Sequence, residues 1–359
     1  MQRKENSGYL EKTCKNIYPQ DTSCRDEATR RLDQLTMPHW ALGSFMDLAV
    51  DLVGMTRCMP PPVARKTVVV MAGDHGVNAE GVSGYPAEVT TQMVYNIMGG
   101  GAGINALAKQ SGTEVVVVDM GAVDEFFDLQ DHPGFIRKKI ARGTQNIMTG
   151  PAMTRTHAVM TVEAGIQVAE QMADRVDVFG TGEMGIGNTT PSSAIAAVVT
   201  GKSVADVTGR GTGIDDNQLR HKIQVIEQAI ATNKPDAEDG LDVLAKLGGF
   251  EIGGIAGLIL GAAALKKPVV VDGFISTAGA LIACLLEPFV RDYIICAHRS
   301  VEPGHGYMQE KLRLQPLFDL QFRLGEGTGA AFAMNALEGA AALLTEVKTF
   351  TEAAVSDRS

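Results

Sequence analysis

Two glutamates framed by glycines carry the chemistry legible in this chain. Near the C-terminus the sequence runs RLGEGTGAAFAM, residues 323–334, with Glu326 between Gly325 and Gly327. A glutamate early in a helix can complete a cap or meet the helix dipole. Glycines on both sides strip away bulk and leave the acid open to approach. The second stretch is FGTGEMGIGNTTPSSA, residues 179–194, where Glu183 follows Gly180 and Gly182 and precedes Gly185 and Asn188. Its Gly-x-Gly-x-x-Gly spacing matches a dinucleotide fingerprint, but no strand ending in an acid follows about 20 residues later. A glycine loop running into a helix start suits one phosphate instead. Glu183 would sit badly beside that phosphate and well beside a centre that becomes positive. Cleavage of an N-glycosidic bond builds such charge on the sugar, and a carboxylate stabilises it. A second carboxylate can take a proton from an incoming nitrogen nucleophile. Glu183 and Glu326 are the candidates for these two tasks.

Other polar residues fall at the ends of apolar runs: Asp74-His75, Asp119 and Asp272. Each alone reads as a helix cap, whereas together with Glu183 they predict a polar cleft at the strand ends. The seven histidines show no tight ligand spacing, so neither a metal nor a cofactor is expected. His75 and His298 read as hydrogen-bonded structural residues that can touch a ligand. Lys222, in LRHKIQV, is by default a solvated charge, or else the counter-charge of a phosphate.

Those residues must be positioned by a large fold. The chain has 359 residues, 45% hydrophobic, with 40 glycines and a net charge of −10. The size predicts about two domains. The acidity, without a Lys/Arg run, argues against nucleic acid as a partner. Five scattered cysteines without a CxxC pair read as reduced thiols of a cytoplasmic protein. The longest apolar run, residues 252–265, is shorter than the roughly 20 residues of a membrane span and is predicted as a buried helix. Residues 1–65 read as helical, with candidates at 26–35 and 45–53. Beyond them come β-branched runs at 67–76, 114–121, 176–183, 268–274 and 292–298, whose unbroken apolar character predicts a parallel sheet covered on both faces. Helical patterns lie between them, at 88–98, from 104, and at 156–173, 217–231, 241–247, 251–266 and 277–285. The expected fold is therefore α/β, a doubly wound parallel sheet flanked by helices, with a last helix at about 328–346 returning toward the N-terminal helices.

Taken with AGDHGV (72–77), GGGAGINALA (99–108), DGLDVLAKLGGFEIGGIAG (239–257) and VVVDGFIS (269–276), the GTGEMGIGNTTPSSA and RLGEGTGAA blocks make this sequence resemble the nicotinate-nucleotide–dimethylbenzimidazole phosphoribosyltransferase family. The resemblance covers nearly the whole chain beyond residue 65. It implies transfer of 5-phosphoribose from nicotinate mononucleotide to 5,6-dimethylbenzimidazole or a related base. The products would be nicotinate and α-ribazole 5′-phosphate for cobamide assembly, with inversion at the anomeric carbon. It implies a homodimer with a Rossmann-like large domain, residues 66–327, and a small helical domain from residues 1–65 with about 328–359. Glu326 matches the family's general base and Glu183 the acid near the ribose. Gly182, Gly185, Asn188 and Gly325 fall in the implied nucleotide loops, and Lys222 and Ser300 match positions near the phosphate. Tyr85, Met93 and Met184 match the base pocket; some relatives carry Ser and Gln where Tyr85 and Met93 stand. Alternatives from the residues alone are another phosphoribosyltransferase, a nucleotide glycohydrolase, or a non-catalytic nucleotide sensor, which would have no use for Glu326.

Overall fold

The computed structural model describes residues 8–356. Six strands form one parallel sheet: β1 Lys66–Gly73, β2 Glu114–Gly121, β3 Phe135–Arg137, β4 Val178–Met184, β5 Val269–Val271 and β6 Ile294–Cys296. Their spatial order is β3-β2-β1-β4-β5-β6, the doubly wound order of Rossmann-type sheets. β1 and β4 are buried along nearly their whole length, as runs without polar alternation require.

The helices are α1 Tyr9–Cys14, α2 Thr22–Asp33, α3 Ser44–Thr56, α4 Glu88–Met98, α5 Gly103–Gln110, α6 Arg155–Gln171, α7 Thr189–Thr200, α8 Val204–Val207, α9 Asp216–Asn233, α10 Gly240–Leu247, α11 Phe250–Ala264, α12 Phe274–Leu286, α13 Pro303–Leu312, α14 Thr328–Glu346 and α15 Phe350–Ala353. The apolar run at 252–265 is α11, a buried helix that crosses α6 closely. Glycine makes that approach possible: a Cβ on Gly257 or Gly165 would overlap the backbone of the other helix. Among the described residues no helix is long and apolar enough to cross a membrane.

The short helices α8 and α15 escaped the sequence reading, as did two elements nearer the sheet. β3 has only three residues and lies at the sheet edge, too short to show a period. α13 begins at Pro303, a residue favoured in a first helical turn, but its glycines mask the apolar pattern. Predicted strand ends overran into loops at 74–76, 272–274 and 297–298, because the polar residues there leave the ladder to bond with neighbouring loops.

Chain order reverses between β1 and β4. Strands β2 and β3 lie on one side of this pair, β5 and β6 on the other. The loops leaving β1 and β4 therefore part, and a crevice opens between them at the carboxyl ends of the strands. Asp74-His75 leaves one lip of that crevice, and Glu183 ends the other.

Candidate active site

Glu183 lies on β4 directly at the switch point and is buried. The Asn188 side-chain amide donates to its carboxylate. Burial, with the negative charges of Asp272 and Glu251 nearby, outweighs that hydrogen bond and pushes the acid up to about 8. Glu183 therefore holds its proton at neutral pH.

Glu326 reaches the same crevice from the loop before α14. Its φ is +62°, between Gly325 at +84° and Gly327 at +91°. Three consecutive left-handed residues make a sharp turn, and the middle one carries the side chain, at a cost of roughly 1–2 kcal/mol. The flanking glycines serve the protein's own packing. A Cβ on Gly325 would overlap the Glu183 carboxylate, and one on Gly327 would lie 2.5 Å from Val68. The approach they were expected to leave open to a flat aromatic base is occupied on these faces by Glu183 and by the sheet. Gly325→Ala is expected to destabilise the fold by more than the roughly 1–2 kcal/mol of a left-handed L-residue; an unchanged urea midpoint would refute the crowding.

The Glu326 carboxylate points at the N-terminus of α5, where the Ile104 N–H donates to Oε2 at 3.1 Å. GGGAG therefore ends in a helix start that orients an acid. Burial still raises Glu326 above the ordinary carboxylate range, opposed by the Ile104 and Gly103 amides and aided by the charge of Asp272. A raised value makes it a better base near neutral pH.

Of the other strand-end acids, Asp272 joins this group. Its two oxygens accept from the Gly327 and Ala330 N–H groups, at 3.2 and 3.0 Å, and so tie the Glu326 turn to β5. Asp119 instead caps Ala122 and pairs with Lys139 at 3.3 Å, and Asp74 accepts from Val123 at 2.7 Å. The four acids do not form one cluster. His298 stands 3.6 Å from Asp272 and stacks on Phe318.

One residue beyond Asn188 the surroundings change sign. Lys222 is buried on α9, and its Nζ donates to Thr189 Oγ1 at 2.7 Å in the first turn of α7. Burial pulls the ammonium down to about 8, against the opposing pull of Glu302. Glu302 accepts from Gly211 at 3.0 Å, and its N–H donates to Ser300 Oγ at 3.3 Å. Ser300, Lys222 and the Gly209–Gly213 loop thus meet at the α7 start. Sequence reasoning missed Thr189 and Glu302; the only signal for Glu302 was its place before Pro303, which reads as a plain cap.

Gly182 packs its bare face on the Glu326 carbonyl, and Gly185 on that of Gly73. Both bring the crevice walls together. Tyr85 is exposed in a loop that docks on Thr212 through Gly84 at 2.9 Å. Met93 is half-buried on α4, whose Thr90 hydroxyl accepts from Ile186 at 3.0 Å. Met184 is half-buried at the end of β4. Among the described residues no group of three or more His, Cys, Asp or Glu could hold a metal ion.

Comparison with known proteins places this arrangement. Residues 17–355 match the phosphoribosyltransferase family DBI_PRT. The nicotinate-nucleotide–dimethylbenzimidazole phosphoribosyltransferase of Desulfotalea psychrophila is 61% identical over 97% of this chain and 98% of its own. The chain belongs to that phosphoribosyltransferase family. The enzyme of the same name from Syntrophotalea carbinolica is 59% identical over 97% of this chain and 98% of its own. The crystal structure of nicotinate-nucleotide–dimethylbenzimidazole phosphoribosyltransferase from Thermus thermophilus superposes with a TM-score of 0.88 at 42% identity, covering 94% of this chain and 100% of that one.

Proposed function

We propose that this enzyme transfers 5-phosphoribose from nicotinate mononucleotide to 5,6-dimethylbenzimidazole or a close relative, releasing nicotinate and an α-linked ribotide. The observation that carries the reading is the convergence of Glu183 and Glu326 in one crevice, with Asn188, which holds Glu183, one residue before Thr189, which holds the buried Lys222. The phosphate lies on the α7 start with Lys222, Ser300 and the Gly209–Gly213 loop. The ribose then extends past Asn188 to Glu183, with Gly182, Gly185 and Gly325 forming its close walls. The base enters beside Glu326, against Met93, Met184 and the Tyr85 loop.

The step is a displacement at C1′. One ring nitrogen of the base attacks while the C1′–nitrogen bond to nicotinate breaks, its electron pair leaving with the pyridine. The N–H proton of the base passes to Glu326. Positive charge spread over the ribose in the loose transition state is offset by Glu183, which must first lose its proton. The pyridinium of the bound nucleotide favours that loss, since a nearby cation stabilises the carboxylate. Attack from the face opposite nicotinate inverts the anomeric carbon. Two substrates held in place supply much of the rate.

The test is an assay with nicotinate mononucleotide and a panel of bases, following nicotinate and the nucleotide product by mass. Base-dependent release with an α-linked product is expected. Release without a base would favour a glycohydrolase, and tight binding without release a sensor. Lys222→Met is expected to raise KM for the nucleotide about 10- to 100-fold, the worth of one charged hydrogen bond, and to leave use of the unphosphorylated riboside unchanged. An equal loss with both substrates would remove Lys222 from the phosphate.

This reading includes a cytoplasmic homodimer. Five unpaired cysteines support the compartment. Sedimentation checks the assembly. It also includes the division into a large domain and a small helical one. α14 packs on α2 and α3, Leu35 bridges Thr349, and Arg31 pairs with Glu352 at 2.6 Å. α1 rests instead on α6 and α11.

A further inference from the structure

Behind the Glu183 turn lies an ion pair that the reaction as described does not use. His75 Nε2 stands 2.7 Å from Glu251 Oε1, and both side chains are almost fully buried. His75 follows β1, and Glu251 opens α11. Among the described residues the second Glu251 oxygen has no partner. Two glycines make room for the pair, and a third lies against it. A Cβ on Gly249 would overlap the His75 ring and lie 2.6 Å from Glu251; one on Gly73 would lie 2.9 Å from Glu251. One on Gly185, two residues beyond Glu183, would lie 3.4 Å from His75 Nε2 and 3.5 Å from the Asn188 amide. The imidazole therefore backs the turn that carries both Glu183 and its hydrogen-bond donor.

A buried ion pair is a poor way to gain stability, because desolvation consumes most of the attraction. Its position against Gly185 gives it another task. We propose that His75, locked on Glu251, is a positioning residue that holds the Glu183–Asn188 turn in its working geometry. The inference rests on the roles proposed above for Glu183 and the nucleotide. The titratable groups facing the ring are Glu251 from α11, Asp74 from its own segment and Glu183 from β4, which holds its own proton at neutral pH; burial lowers the imidazole, and the carboxylate charges, Glu251 foremost, raise it above its ordinary value. The ring thus keeps its proton to a higher pH than an ordinary imidazole, and the ion pair is lost as pH rises through that raised value.

The pH dependence of kcat separates positioning from plain packing. In the unsubstituted enzyme kcat should fall as pH rises through the raised value at which His75 deprotonates. Glu251→Gln removes the chief support of the cation and should move that fall at least one pH unit lower. His75→Gln should lower kcat up to about 100-fold, the cost of misplacing a reacting group by about 1 Å. It should also abolish that fall and leave KM for the aromatic base unchanged. Unaltered pH profiles in both variants, with only a lower Tm, would overturn the proposal. Ring nitrogen-15 titration of the unsubstituted protein keeps the test decisive if a variant fails to fold. His298 is also raised, by Asp272 against burial, and is assigned through His298→Gln. A second ring that keeps its proton above the ordinary imidazole range supports the inference; its absence overturns it. A protein without base-dependent nicotinate release would sink the proposed function instead, whatever the ring titration gives.

Discussion

Glu326→Gln is expected to bind nicotinate mononucleotide normally and to turn over roughly 10²- to 10⁴-fold more slowly, the usual span for loss of a general base. The substitution is nearly isosteric. Its amide oxygen can still accept from Ile104, so the left-handed turn and the α5 contact survive. What disappears is a site for the proton of the base. The pH profile adds a second readout. Because Glu326 titrates above the ordinary carboxylate range, activity of the unsubstituted enzyme should fall as pH drops through that raised value. In the glutamine variant this acid limb should vanish along with most of the rate. Near-normal turnover would remove Glu326 from the role of base. A parallel loss of nucleotide affinity would mean that the turn had collapsed.

Glu183→Gln should make the protein more stable in alkali while impairing turnover. The folded protein keeps the Glu183 proton up to about pH 8, whereas the unfolded chain loses it near the ordinary 4.5. Below about 4.5 both states hold the proton and the group has no effect. Between the two values the folded state binds more protons, so rising pH lowers stability. Above 8 the penalty is complete, on the order of 5 kcal/mol for a displacement from 4.5 to about 8. A glutamine carries no such penalty. The stability gap between variant and parent, read from urea unfolding, should widen from pH 5 to about pH 8 and level off above it. A gap that does not change with pH would mean that Glu183 is solvated and ordinary. The instability has a use in the proposed reaction: a buried acid that is costly to ionise becomes a strong partner for a cationic nucleotide.

These predictions show where the sequence was legible. Parallel strands announced themselves because β1 and β4 are buried on both faces and have no polar alternation. α11 was legible as buried from its composition, and α14 from its run of small residues after Gly327. The chain also carried, in the two glycine-framed motifs, the identity of both acids and of the loop that precedes α7.

Only the tertiary structure decided what those residues meet. Glu183 and Glu326 are 143 positions apart, and nothing local states that a Cβ on Gly325 would strike the Glu183 carboxylate. Lys222 looked like a solvated helix charge; burial against Thr189 makes it a poised cation. Asp119 and Asp74 looked like members of the cleft, and local N–H groups and Lys139 claim them instead. His75 and Glu251 gave no joint signal, because a pair 176 residues apart has no spacing to recognise. Side-chain type and local period are properties of the chain and can be read from it. Burial, charge balance and which oxygen meets which N–H depend on contacts between distant segments, and those exist only once the sheet has brought its strand ends together.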